Sequence, residues 1–193
     1  MHFIGVYDYT VILTYLSLFS AVFGMVLSSR AAFTGAVLCL MFSGLCDAFD
    51  GIVARSKRNR TEDEKAFGIQ LDSLCDVVSF GVFPAYLCYH LGTDGTVGIL
   101  CILGYCMCAV CRLAFFNVLE GKRQQTEGGC NKFYRGLPVT AISMIFPALY
   151  GFRFLIPEKY YVALLCMMLA TVAFLFVLDI SVKKPDWKKI LHI

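Results

Sequence analysis

The sequence predicts an all-α membrane protein, a bundle of six transmembrane helices with both termini in the cytoplasm. Three observations predict it. First, 59% of the 193 residues are hydrophobic and the mean hydropathy is +0.71, where a soluble domain is usually about 45–50% apolar. Second, the apolar excess falls into six blocks, about 9–28, 32–54, 69–91, 96–118, 137–156 and 160–180. A bilayer core about 30 Å thick needs roughly 20 apolar residues per helical span, and lipid demands a backbone satisfied internally. Third, the basic residues are asymmetric. Thirteen fall in the loops after the second and fourth blocks and in the tail, against Arg30, Arg153 and Lys159 on the other side. Cytoplasmic loops carry the Lys/Arg excess. The blocks leave no room for a second soluble domain, so residues 1–193 read as one integral membrane domain.

The first span follows residues 1–8, which contain no Lys or Arg; without a basic leader region it reads as a retained span rather than a cleaved signal. The second span ends in Cys46-Asp47-Ala48-Phe49-Asp50-Gly51-Ile52-Val53-Ala54-Arg55. A polar loop over 55–67 carries Arg55, Lys57, Arg58, Arg60 and Lys65, and the third span opens Gly68-Ile69-Gln70-Leu71-Asp72-Ser73-Leu74-Cys75-Asp76. The run Gly92-Thr93-Asp94-Gly95 is a turn by composition. In the fourth span Cys101, Cys106, Cys108 and Cys111 lack the tight spacing of a tetrahedral metal site and read as small apolar residues; no disulfide is expected. A second polar loop, 120–135, carries Lys122, Arg123, Lys132 and Arg135. The fifth span connects briefly, around Ile156–Lys159, to the sixth, where Asp179 is expected to cap the span end near Lys183. The net charge of +3 implies no nucleic-acid partner, because the basic residues flank the membrane, where anionic headgroups attract them.

The chemistry concentrates in four aspartates. A charge inside a span costs several kcal/mol and marks function by default. Asp47 and Asp50 are three apart and Asp72 and Asp76 four apart, so each pair shares a helical face. The short loop makes the second and third spans antiparallel, and the faces can meet. Asp47 lies eight residues before Arg55, about 12 Å along a helix, so the cluster sits just below the cytoplasmic headgroups. Gly51, Ala54 and Gly68 leave room for close approach. Carboxylates suit hard cations, Mg²⁺ or Mn²⁺, and four negative charges match two divalent ions, a recurrent arrangement for phosphoryl transfer. A salt-bridged cluster neutralised by Arg55 and Arg112 fails on charge count. A cation-transport path is the rival from another class, but transporters show repeats and broken helices, and no repeat is present.

The string Asp47-x2-Asp50-Gly51-x2-Ala54-Arg55…Gly68-x3-Asp72-x3-Asp76 resembles the signature of the CDP-alcohol phosphotransferase family. The gap between Arg55 and Gly68 is longer than in many members and falls in the charged loop. The runs Asp76-Val77-Val78-Ser79-Phe80-Gly81-Val82-Phe83-Pro84-Ala85, Cys111-Arg112-Leu113-Ala114-Phe115-Phe116-Asn117 and Tyr134-Arg135-Gly136-Leu137-Pro138 resemble the members that use serine as acceptor. One departure is Thr10-Val11, where relatives often carry Pro-Asn.

The resemblance implies a six-span homodimer in a bacterial cytoplasmic membrane, with a polar cavity open to the cytoplasm. The reaction it implies moves a phosphatidyl group from CDP-diacylglycerol to L-serine, giving phosphatidylserine and CMP. By the same resemblance Asp47, Asp50, Asp72 and Asp76 hold two Mg²⁺ or Mn²⁺ ions, Asp76 is the general base, and Asp50, Gly51, Ala54, Arg55 and Gly68 line the nucleotide pocket. Arg112, Asn117 and Arg135 are the candidates for the serine carboxylate or the lipid phosphate. Glycerol phosphate and inositol phosphate are the rival acceptors; both carry phosphate and call for more intramembrane basic residues than this chain has.

Overall fold

The computed structural model of the chain describes residues 5, 9–56, 61–125, 133–179 and 181–183. Lys57, Arg58, Arg60, Lys132, Lys184, Lys188 and Lys189 lie outside them, as do the side chains of Ala54, Arg55 and Arg135. Seven α-helices run through the described residues: α1 Ile12–Ser29, α2 Phe33–Ser56, α3 Glu62–Asp76, α4 Phe83–His90, α5 Thr96–Gln125, α6 Ile142–Gly151 and α7 Glu158–Val177. A π-helical segment, Val77–Val82, joins α3 to α4, so one helical rod runs over Glu62–His90.

Five helical stretches are long and apolar enough to cross a membrane. The expected fifth span is shorter, Val139–Leu155. It is punctuated by Pro138, Pro147 and Pro157 and frays into 3₁₀ turns at Val139–Ala141 and Phe152–Leu155. A 3₁₀ turn rises faster per residue than an α-turn, so the whole segment still measures about 30 Å.

Several boundaries differ from those expected. The third span begins inside the expected loop, because Thr61 accepts from the Glu64 backbone N–H at 3.1 Å while the Glu64 carboxylate accepts from the Thr61 N–H at 3.0 Å. This reciprocal cap satisfies two otherwise orphaned donors. α5 likewise extends past the expected end to Gln125. α7 ends at Val177, and Leu178 is already extended. Asp179 therefore does not cap the last span; a carboxylate is unfavourable at the negative end of a helix. Beyond the helices, Phe133–Arg135 (β1) pairs antiparallel with Ser181–Lys183 (β2), Arg135 opposite Ser181. This small ribbon ties the segment before α6 to the chain beyond α7.

The packing is that of a lipid-facing bundle. Large apolar side chains point outward, among them Phe19, Leu38, Leu100, Met107, Met144 and Phe174, while Thr14, Ser17, Ser20, Ser43, Ser79 and Ser143 are buried. Small and hydroxylated residues at the interfaces let helices approach and hydrogen-bond across. Ser17 and Ser43 bond oxygen to oxygen at 2.6 Å, and Ser20 donates to the Cys39 carbonyl at 2.9 Å, zipping α1 to α2. α2 also meets α6 at Gly44, where a β-carbon would overlap Ser143. α5 lies along α7, and its inner side carries the buried Tyr105, whose ring meets Phe176 at 5.5 Å. The described cysteines are all free.

Candidate active site

α2 and α3 both pack on α1, and both bring carboxylates to one place. Oxygens of Asp47, Asp50 and Asp72 lie within 4.8 Å of one another. Asp76, 7% exposed, completes the group by sharing a hydrogen bond with Asp47, while Asp72 shares one with Asp50. Two carboxyl groups at such distances need a proton or a cation between them. Four of them inside a bundle are an arrangement that a cation resolves. Asp72 Oδ1 is buried without a hydrogen-bond partner, and a buried charged oxygen left unpaired is costly. The donor set is all oxygen, which fits Mg²⁺ or Mn²⁺.

Neighbouring residues hold the four in place. Thr14 of α1, 6% exposed, donates to Asp50 Oδ2 at 3.3 Å. On α3, between Asp72 and Asp76, Ser73 donates to Asn117 Oδ1 at 2.7 Å, and Asn117 Nδ2 donates to Gln70 at 3.4 Å. Immediately after Asp76 the helix widens into the π-helical segment. Such segments often sit at functional sites. Here α5 meets the rearranged carbonyls: Tyr105 OH donates to the Phe80 oxygen at 2.6 Å, and Cys106 Sγ to the Gly81 oxygen at 3.5 Å.

The remaining sequence candidates divide. Gly51 follows Asp50 on α2, and Gly68 lies one turn before Asp72; both are half-buried. Ala54 and Arg55 fall in the last turns of α2. Asn117 is engaged by α3, Arg135 lies in β1, and Arg112 lines a cavity of about 390 Å³ whose walls include Phe115, Phe176 and Asp179. Arg112 and Asp179 thus line the same cavity, where their opposite charges attract.

Sequence reading missed Thr14, Ser73 and Tyr105, and gave Asp179 only the role of a helix cap. Two were visible in principle. Thr14, Ser17, Ala21, Gly24 and Ser28 form a small-residue stripe at helical spacing, and a tyrosine mid-span needs a partner for its hydroxyl.

The family model for CDP-alcohol phosphatidyltransferase matches residues 9–178. The chain is 30% identical over 179 residues to CDP-diacylglycerol–serine O-phosphatidyltransferase of Methanocaldococcus jannaschii, covering 93% of this chain and 77% of that one. It is 35% identical over 144 residues to archaetidylserine synthase of Methanothermobacter thermautotrophicus, covering 72% and 56% respectively. It is 36% identical over 113 residues to CDP-diacylglycerol–serine O-phosphatidyltransferase of Saccharomyces cerevisiae, covering 57% and 40%. The matches to the last two thus span about half the length of those relatives or less. No solved structure matches the chain. With the family model covering nearly all of the described bundle, four aspartates included, the chain belongs to the CDP-alcohol phosphatidyltransferase family.

Proposed function

We propose that this protein transfers a phosphatidyl group from CDP-diacylglycerol to the hydroxyl of L-serine, giving phosphatidylserine and CMP. The observation that carries the proposal is the convergence of Asp47, Asp50, Asp72 and Asp76 from two antiparallel helices. Support for serine comes from relatives named for that acceptor. The working unit is one membrane domain over residues 1–193, acting as a homodimer. Its site faces the cytoplasm of a bacterial membrane, a reading supported by the Lys/Arg excess around it.

The roles are those that the family resemblance implies. Asp47, Asp50, Asp72 and Asp76 would hold two Mg²⁺ or Mn²⁺ ions, which when bound supply charge neutralisation to a pyrophosphate. Gly51, Ala54 and Gly68 would line the nucleotide pocket, and Arg55 would pair with its phosphate oxygens. Asp76 takes the serine hydroxyl proton as that oxygen bonds to phosphorus. The bond from phosphorus to the CMP oxygen breaks, and CMP leaves with the electron pair. Ser73 and Asn117 fix the α3 turn that carries Asp76.

The test is CMP release by purified protein given CDP-diacylglycerol and serine, glycerol 3-phosphate or inositol phosphate, with and without Mg²⁺ or Mn²⁺. A CDP-activated ether lipid runs in parallel, because one relative is an archaetidylserine synthase. Metal-dependent transfer to serine, lost in Asp76→Asn, is the expected outcome. Transfer to a phosphorylated acceptor instead would overturn the serine assignment. No CMP release with any acceptor would sink the transferase reading and favour ion transport.

A further inference from the structure

α5 presents two functional faces. One face meets α3 and the π-helical segment through Cys106, Ala109 and Asn117. The adjoining face meets α7 through Tyr105 and, two turns on, Arg112. The antiparallel register of α5 against the helical rod is set by two contacts, Ser73 with Asn117 and Phe80 with Tyr105. By that register Arg112, between Tyr105 and Asn117 on α5, falls between the levels of Phe80 and Ser73.

Three chain segments converge on Arg112. Gly136, at φ +69°, sits so close that a β-carbon would lie 3.2 Å from Arg112 Nη1 and 2.9 Å from the Leu178 carbonyl oxygen. Only glycine tolerates both that conformation and that approach. Leu137 N–H donates to the Leu175 oxygen at 3.4 Å, and the β1–β2 ribbon pairs the flanking residues. The chain beyond α7 is thereby pinned with Asp179 on the cavity wall. The guanidinium is half-buried and the Asp179 carboxylate exposed into the cavity.

We infer that the cavity between Arg112 and Asp179 is the acceptor subsite for a free α-amino acid, with Arg112 taking its carboxylate and Asp179 its ammonium. This rests on the proposed transfer to serine and names the groups that select the acceptor. A planar guanidinium matches a carboxylate bidentately. A carboxylate has room for several donors, so Asp179 can hold Arg112 and an ammonium together. The pair also rejects rivals: Asp179 repels the phosphate of glycerol phosphate or inositol phosphate, which Arg112 alone would attract. The cavity volume, about 390 Å³, lies in the range of small-molecule sites.

The test compares the full-length wild type, Asp179→Asn and Asp179→Glu with serine and with 3-hydroxypropanoate, which keeps the hydroxyl and carboxylate but lacks the ammonium. Asp179→Asn is expected to raise the serine KM at least tenfold, with kcat falling less than threefold and the CDP-diacylglycerol KM unchanged. The preference for serine over 3-hydroxypropanoate should shrink at least tenfold, and Asp179→Glu should recover part of it. A merely structural ion pair would lower kcat and melting temperature and affect both acceptors equally; that result overturns the inference. Cys111, on the cavity wall and exposed, gives a readout without turnover. Serine should slow its alkylation by N-ethylmaleimide in the wild type, at no more than a tenth of the 3-hydroxypropanoate concentration. Protection without CMP release would keep the subsite and sink the proposed reaction. CMP release with an unchanged serine KM in Asp179→Asn would do the reverse. Should Asp179→Asn not fold, the wild-type protection ratio decides alone, and a ratio near one overturns the subsite.

Discussion

Asp72 sits in an electrostatic conflict. One of its oxygens is buried and unpartnered, and its other neighbours are acidic. Such a group destabilises the metal-free protein and stabilises the loaded one, because a cation bound only to the folded state adds stability by mass action. Asp72→Asn should therefore raise the melting temperature measured in EDTA, by the equivalent of about 1–3 kcal/mol, the usual cost of an unsatisfied buried group. The same substitution should abolish the rise that Mg²⁺ produces in the wild type and lower CMP release at least about a thousandfold, a loss of about 4 kcal/mol. Thermal melts with and without Mg²⁺ check it. A destabilised Asp72→Asn in EDTA would mean the carboxylate has a satisfying partner and that the cluster is structural. These four residues were legible in the sequence because intervals of three and four on a helix translate directly into one face. That Arg112 and Asp179 line one cavity was not, since 67 positions separate them and no local pattern joins them.

At the scale of elements, the rod Glu62–His90 combines one feature that sequence reveals with one that it hides. Its start was available in Thr61 and Glu64, a spacing that announces a helix N-terminus, although the polar composition of 55–67 read as a loop. Its π-helical middle does not follow from Val77-Val78-Ser79-Phe80-Gly81-Val82, where no residue type dictates the wider turn. What holds that turn comes from another helix: the Tyr105 hydroxyl, on a fully buried side chain, takes the Phe80 carbonyl. Tyr105→Phe keeps the ring against Phe176 and removes only the donor. The stranded carbonyl should cost about 1–3 kcal/mol, seen as a lower melting temperature. Because Asp76 is the residue just before the segment, kcat should fall more than either substrate KM rises. An unchanged kcat would show that the π-helical segment and the Asp76 carboxyl are uncoupled.

The whole molecule is a bundle whose chemistry lies toward one membrane face, so its orientation decides whether the site meets its substrates. The fifth span was predicted at full length, but the apolar helix there measures only Val139–Leu155, with prolines shortening its α-helical part; five described stretches are long and apolar enough to cross a membrane. Orientation then rests on charge. Basic residues near an anionic surface contribute about 1 kcal/mol each, and thirteen against three leaves a bias far above thermal energy. Two cysteine reporters test it in intact cells with a membrane-impermeant maleimide. Gly95, in the turn before α5, is exposed, with open space where a side chain would go, and Gly95→Cys should label from outside. Glu62→Cys, at the exposed start of α3, should label only after permeabilisation. Each variant is read against the native cysteines by mass spectrometry of its own peptide. The opposite pattern would put Asp47, Asp50, Asp72 and Asp76 near the outer face, away from cytoplasmic serine and the nucleotide donor. Phosphatidyl transfer inside the cell would then fail even with the metal cluster intact.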